Sequence, residues 1–182
     1  MQRLFFNKSK NLSIINIRFK LNFNTDYKNG NRKNVIPNTK IQDCQAIDLS
    51  TISSKDLGKL TVIEGPPNIP FHIKRVFYLH DIPPEKSRGS HAHKELHQLL
   101  ICINGSFDVA LDDGSSKKIV HLNALTVGLH IPPMIWAEEL NFKPNTICLV
   151  LASDFYDELD YYRNYDDFLA AKLIARSIDS HI

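Results

Sequence analysis

An all-β antiparallel fold, a sandwich or barrel closed by one C-terminal helix, is what this sequence predicts, and three observations carry that expectation. Turn-forming clusters recur along the chain: "GPPNIP" at 65–70, "DIPPEKSRG" at 81–89, "NGS" at 104–106, "DDGSS" at 112–116, "PPM" at 132–134 and "KPN" at 143–145. Short β-rich runs fill the gaps, among them "IKRVFYL", "HQLLICI", "FDVAL", "KKIVHL", "LTVGLHI" and "TICLVLA". Then the period changes. In "YDDFLAAKLIARSI", 165–178, the apolar residues Phe168, Leu169, Leu173, Ile174 and Ile178 fall near helical spacing, with Asp166 and Asp167 at the start.

In chain order, residues 1–40 stand apart. They hold nine Lys/Arg against one acid, Asp26, and nine asparagines. Within them Ile15, Ile17, Phe19, Leu21 and Phe23 alternate with polar residues, the period of a half-buried strand. No continuous apolar stretch follows the first basic residues as a secretory signal requires. The segment is expected to be a basic, Asn-rich leader, poorly ordered or contributing one strand, with an arm to a partner subunit as the other reading. Residues 41–182 form the expected domain. "INGSFDVALDDGSSKKIVHL" predicts two successive hairpins, and the apolar stripe of the C-terminal helix is expected to pack on the core.

The totals exclude several classes. At 182 residues, 43% apolar and 23% charged, the chain suits one soluble domain. No apolar run approaches the roughly 20 residues that span a bilayer. The net charge of +2 divides into +8 over residues 1–40 and −6 over the rest, so the domain lacks the basic stripe that nucleic-acid binding requires. Cys44, Cys102 and Cys148 show no C-x-x-C spacing and fit reduced core thiols of a cytoplasmic protein.

Chemistry concentrates in "RGSHAHKELHQ", 88–98. On a strand, His91 and His93 share a face. Two imidazoles side by side can ligate a metal or serve as acid and base near neutral pH. The stretch resembles the first motif of the cupin superfamily. Metal-binding cupins add an acid after three or four intervening residues, where this chain has His97 and Gln98. Their last histidine ligand falls on Ala137, counting from Pro132, and alanine cannot coordinate a metal. A three-histidine site of His91, His93 and His97 stays open as an alternative.

A narrower resemblance follows from R-V-x-Y, R-G-x-H-A-H-K, a strand ending in N-G-S, and L-D-D-G across 74–114, together with "VLASDFYDELDYYRNYDDF" at 150–168. This ordered set is similar to the sugar 3,4-ketoisomerases acting on dTDP-4-keto-6-deoxyglucose, over about residues 41–170. The resemblance implies a cupin-type jelly roll, a homodimer, and a metal-free isomerase with no cofactor. It would move a ketone from C4 to C3 of a dTDP-linked sugar, in cytoplasmic deoxysugar biosynthesis for lipopolysaccharide or other glycans. By motif position His91 is the expected base for the C3 proton and His93 the shuttle, with the two roles exchangeable. Arg88 is expected to hold the diphosphate or the enediolate through its fork, against a solvated loop arginine. Tyr78, Arg75 and Trp136 complete the expected substrate-binding set; core packing remains open for Tyr78 and Trp136. A metal-dependent cupin enzyme and a non-catalytic sugar-nucleotide-binding module are the competing classes.

Overall fold

The computed structural model describes residues 41 and 43–179, which lie in the second of two units, Lys33–Ile182. The leader expected over 1–40, with its alternating segment, lies outside the described residues. Twelve strands follow one another: β1 (Gln45–Asp48), β2 (Thr51–Ser54), β3 (Gly58–Thr61), β4 (Arg75–Leu79), β5 (Arg88–His93), β6 (Gln98–Asn104), β7 (Phe107–Asp112), β8 (Lys117–Leu122), β9 (Val127–Ile131), β10 (Trp136–Leu140), β11 (Ile147–Ala152) and β12 (Tyr161–Tyr162). One helix, α1 (Tyr165–Asp179), closes the described chain.

Two five-stranded antiparallel sheets make the expected cupin-like architecture. The first has the order β1-β9-β6-β11-β4 and the second β12-β5-β10-β7-β8; β2 and β3 pair alone. Between the sheets lies the main core. Leu100, Cys102, Leu129, Cys148 and Val150 point in from the first sheet, and Phe107, Val109, Leu111, Val120, Leu122 and Ala137 from the second. Each large aliphatic or aromatic side chain buried here stabilises the fold by about 1.5–3 kcal/mol. A second cluster covers the outer face of the first sheet, where Ile69 and Phe71 pack on Leu99, Ile101 and Leu151.

Two expectations need correction. Only one of the predicted hairpins forms. β7 and β8 pair from Phe107↔Leu122 to Asp112↔Lys117, whereas β6 pairs with β9 and β11. The Asn104–Ser106 turn therefore carries the chain from one sheet to the other, because both faces of β6 are needed for burial and β7 completes the opposite wall. The helix forms where expected, and the Asn164 side chain accepts from the N–H groups of Asp166 and Asp167. Its apolar stripe does not all pack. Phe168 is fully buried, yet Leu173, Ile174 and Ile178 are exposed, and Lys172 is buried instead. The helix lies along the β7–β8 turn, where Lys172 packs by Gly114 and Arg176 donates to the Asp113 carbonyl, so Leu173, Ile174 and Ile178 fall on its solvent side.

All three cysteines are buried and free of disulfides, as core thiols were expected to be. Burial pushes the Cys44 thiol up to about 12.

Candidate active site

The site begins with an irregularity in β5. Ala137 of β10 stands opposite His91, but the next residue, Glu138, stands opposite Gly89, so Ser90 has no opposite number. This is a β-bulge, and Gly89 and Ser90 accommodate it at φ +81° and +55°. Its consequence is parity. Residues three apart on a regular strand face opposite sides; here Arg88 faces inward with His91 and His93, opposite the inward Glu139. A Cβ at Gly89 would lie 2.8 Å from the Ala137 carbonyl oxygen and 2.9 Å from Glu139 Oε2, so only glycine fits.

The two histidines touch. Nε2 of His91 lies 3.2 Å from Nε2 of His93, and Nδ1 of His93 lies 2.7 Å from an Asp160 carboxylate oxygen. The other Asp160 oxygen accepts the Glu95 N–H at 2.8 Å. A carboxylate accepts only, so His93 donates from Nδ1 and keeps its lone pair at Nε2. His91 must then donate from Nε2, which leaves the unshared pair of the resting chain on its Nδ1. That atom is buried without a hydrogen-bond partner. The geometry is a relay: one basic nitrogen at the end of a hydrogen-bonded line, anchored by a carboxylate.

Burial sets the proton affinities. It lowers the His91 pKa, with the backbone of Gly89 working the other way. It lowers His93 to about 4, against the opposing effect of the hydrogen bond His93 donates to Asp160. Both rings are therefore neutral near pH 7, the form in which a base is ready. Tyr161 packs on both, with ring centroids 4.9 Å from His91 and 4.3 Å from His93. The Arg163 guanidinium lies over the Tyr161 ring, 4.2 Å from its centroid, and the Glu158 carboxylate accepts its hydrogen bonds at 2.6 and 2.8 Å. Tyr161 and Tyr162 form β12, which pairs with His93 and Ala92. The segment between β11 and α1 thus clamps the histidines in place.

Inside, a cavity of about 100 Å³ is lined by Phe77, Leu79, Arg88, Gly89, His91, Gln98, Leu100, Glu139 and Val150. Burial pushes the Glu139 carboxyl up to about 7. A larger cleft of about 450 Å³ opens alongside, between Lys94–Leu96 and Ser153–Asp160.

The family model described as "FdtA: WxcM-like, C-terminal" matches residues 42–173. A curated TDP-4-oxo-6-deoxy-alpha-D-glucose-3,4-oxoisomerase of Aneurinibacillus thermoaerophilus is 50% identical over 111 residues, 61% of this chain and 80% of that protein. The chain belongs to the sugar 3,4-ketoisomerase family. Solved members share its fold. QdtA of Thermoanaerobacterium thermosaccharolyticum, a sugar 3,4-ketoisomerase in complex with TDP, is 43% identical with a TM-score of 0.71, covering 74% of this chain and 98% of its own. The WlaRB TDP-quinovose 3,4-ketoisomerase of Campylobacter jejuni is 44% identical with a TM-score of 0.69, over 71% and 99%.

In this ketoisomerase chain the structure brings together His91, His93 and Arg88, and sets Arg75 nearby. The Arg75 guanidinium lies over the rings of Phe77 and Tyr156, and its buried Nε has no hydrogen-bond partner. Tyr78 and Trp136 stand elsewhere. On β4 it is Phe77 that lines the cavity, while Tyr78 is 63% exposed on the other face. Trp136 faces away from the sheet interior and packs under α1, against Tyr165 and Phe168. Ala137, beside it, is the inward residue opposite His91. His97 does not join the pair. It stacks on His130 with 3.0 Å between Nδ1 and Nε2, next to Phe71, and no three His, Cys, Asp or Glu side chains among the described residues are grouped to hold a metal ion. The three-histidine alternative therefore lacks its third ligand.

Three groups escaped the sequence analysis: Asp160, Tyr161 and Glu139. Strand alternation was the available signal for Glu139, since Ala137 faces inward and Glu139 lies two residues on. Asp160 and Tyr161, far along the chain, carried no such signal.

Proposed function

We propose that this chain converts TDP-4-keto-6-deoxyglucose to the 3-keto isomer through an enediol, with His91 as the base and no cofactor. The observation that carries this reading is the His91–His93–Asp160 line. It offers one unshared nitrogen pair beside the cavity and a carboxylate behind it to receive positive charge. The substrate class is that of the 50% identical relative.

The reaction needs a proton taken from C3, alpha to the C4 carbonyl. As the C3–H bond breaks, C3=C4 forms and the carbonyl pair moves onto O4, which is protonated. The O3 proton then leaves, C3=O forms, and C4 accepts a proton; no redox partner is needed. His91 carries the carbon protons. Both ring nitrogens of His93 are engaged, and the ring is 5% exposed. His93 therefore acts through His91: when His91 becomes cationic, it shares that charge along Nε2–H···Nε2 toward Asp160. Arg88 at the cavity and Arg75 beside it supply fixed positive charge for the enediolate and the diphosphate.

The finer assignments go with this reading. The enzyme works in the cytoplasm as a homodimer, in the assembly of deoxysugars for lipopolysaccharide or other glycans, with residues 1–40 as an appended leader. Among the described residues no helix is long and apolar enough to cross a membrane.

The test is proton NMR of EDTA-treated protein with TDP-4-keto-6-deoxyglucose in D2O. A 3-keto sugar carrying deuterium at C4 is expected. Conversion only after metal is restored would overturn the cofactor-free reading, and binding without conversion would leave a sugar-nucleotide-binding module.

A further inference from the structure

We infer that Glu139 is a further catalytic residue, the acid and base of the sugar oxygens: its carboxyl gives a proton to O4 and takes one from O3, leaving the carbons to His91. This rests on the ketoisomerase reading above and assigns the proton movements that the two histidines leave unserved.

The isomerisation moves protons at two carbons and at two oxygens. His93 has both ring nitrogens engaged. Arg88 keeps its charge throughout, and the Gln98 amide neither gives nor takes a proton near neutrality. Of the side chains lining the cavity, His91 and Glu139 are left.

Strand parity puts Glu139 inside. It stands opposite Arg88 on β5 and opposite the fully buried Val109 on β7. Its side chain crosses toward β5, where Oε2 lies 2.9 Å from the place a Cβ on Gly89 would take. The carboxyl thus fills room that the glycine of the bulge leaves open, beside the strand that carries the base. Around it stand Arg88 and His91 on β5, Gln98 on β6 and Cys148 on β11, with Glu138 next to it in its own strand. No lysine, arginine or histidine among the described residues forms an ion pair with it. At 7% exposure and without a paired cation, the group is costly to ionise, and burial pushes it up to about 7. Leucine would fill the position at lower cost, so packing does not account for an acid there.

Glu139 starts neutral, His91 starts with a free lone pair, and the two act in step. His91 takes the C3 proton and the C3–H pair becomes C3=C4. The carbonyl pair moves to O4, which takes the Glu139 proton. The carboxylate so formed takes the O3 proton, and the O3–H pair becomes C3=O. The C3=C4 pair then takes the proton held by His91 at C4. Both side chains return to their starting forms, and no redox partner is needed. O3 and O4 are neighbours on the ring, so the two oxygens of one carboxyl can serve both.

The experiment compares the full chain with Glu139→Gln, which keeps the shape and loses the acidic proton. Turnover of TDP-4-keto-6-deoxyglucose is followed by NMR from about pH 6 to about pH 9, with TDP affinity by calorimetry as the control for a folded site. The variant's kcat is expected to fall by about 10²–10⁴, with KM within about threefold of the parent's. In the parent, kcat/KM should decline above about pH 7 as Glu139 ionises, and the residual activity of the variant should lack that decline. Turnover near the parent rate, a loss confined to KM, or an alkaline decline shared by both proteins would overturn the assignment and leave the ketoisomerase standing. Should the variant fail to bind TDP, the parent decides: a decline beginning near pH 7 supports the assignment, and a flat kcat/KM up to about pH 9 overturns it. Absence of any 3-keto product from the parent would overturn the ketoisomerase reading, and this inference with it.

Discussion

At the scale of single residues, one carboxylate decides where two protons rest. Asp160 accepts from His93 with one oxygen and from the Glu95 N–H with the other. Asparagine has one acceptor oxygen and one NH2. If the Glu95 bond is kept, the amide nitrogen turns to His93 and demands a lone pair at Nδ1. His93 then carries its proton at Nε2, against the proton on His91. Asp160→Asn should therefore lower kcat by about 10²–10⁴, as the wrong tautomer does in other carboxylate-oriented histidines, with KM little changed. A comparable loss confined to KM would assign Asp160 to binding instead. His91→Asn removes the base itself. It is expected to cut turnover by at least about 10³ with the far-UV spectrum preserved, and measurable isomerisation near the parent rate would sink the assignment.

At the scale of the element, the bulge in β5 makes a strand into a site. Skipping Ser90 brings Arg88 onto the histidine face, and it requires Gly89 at φ +81° under the Ala137 carbonyl. Gly89→Ala is predicted to destabilise by about 1–3 kcal/mol, measured as a lowered urea midpoint, and to depress activity further in the fraction still folded. A midpoint equal to the parent's would mean that the turn tolerates a side chain. The strands also show how much the sequence disclosed. Turn spacing was enough for the two sheets, because Gly, Pro and Asn-Gly clusters mark strand ends by backbone physics alone. The histidine pair was legible because its two members are two apart on one strand. Tyr78 and Trp136 lie off the inward face for one reason: aromatic rings with a polar tip suit a sugar, but strand parity assigns that face to Arg75, Phe77 and Leu79 and to Ala137 and Glu139. Asp160 stayed hidden because a contact across 67 residues leaves no local period.

At the scale of the whole molecule, buried neutral histidines tie stability to pH. His93 and His130 are both held near 4 by burial, below the ordinary 6.5. As pH falls beneath 6.5 the unfolded chain takes up protons that the folded one refuses, so stability is lost until about pH 4, at about 1.4 kcal/mol per histidine per unit. Glu139 works the opposite way. Its pKa is raised to about 7, so its folded form gains a proton before the unfolded one does and offsets part of the loss between pH 7 and 4.5. Urea unfolding at pH 6.5 and 4.5 should show His130→Asn losing less than the parent by about 1.4 kcal/mol per unit, and Glu139→Gln losing more. Parallel slopes in all three proteins would remove these groups as the cause.

The clamp made by Glu158, Asp160, Tyr161 and Arg163 comes from a part of the chain that follows β11, the last strand of the first sheet. On a ribosome, then, all of the first sheet and four strands of the second emerge before the groups that orient the histidines. A nascent chain ending at residue 157 holds both imidazoles with nothing to choose between their tautomers. Competence arrives only with residues 158–163, whatever the earlier strands have already built.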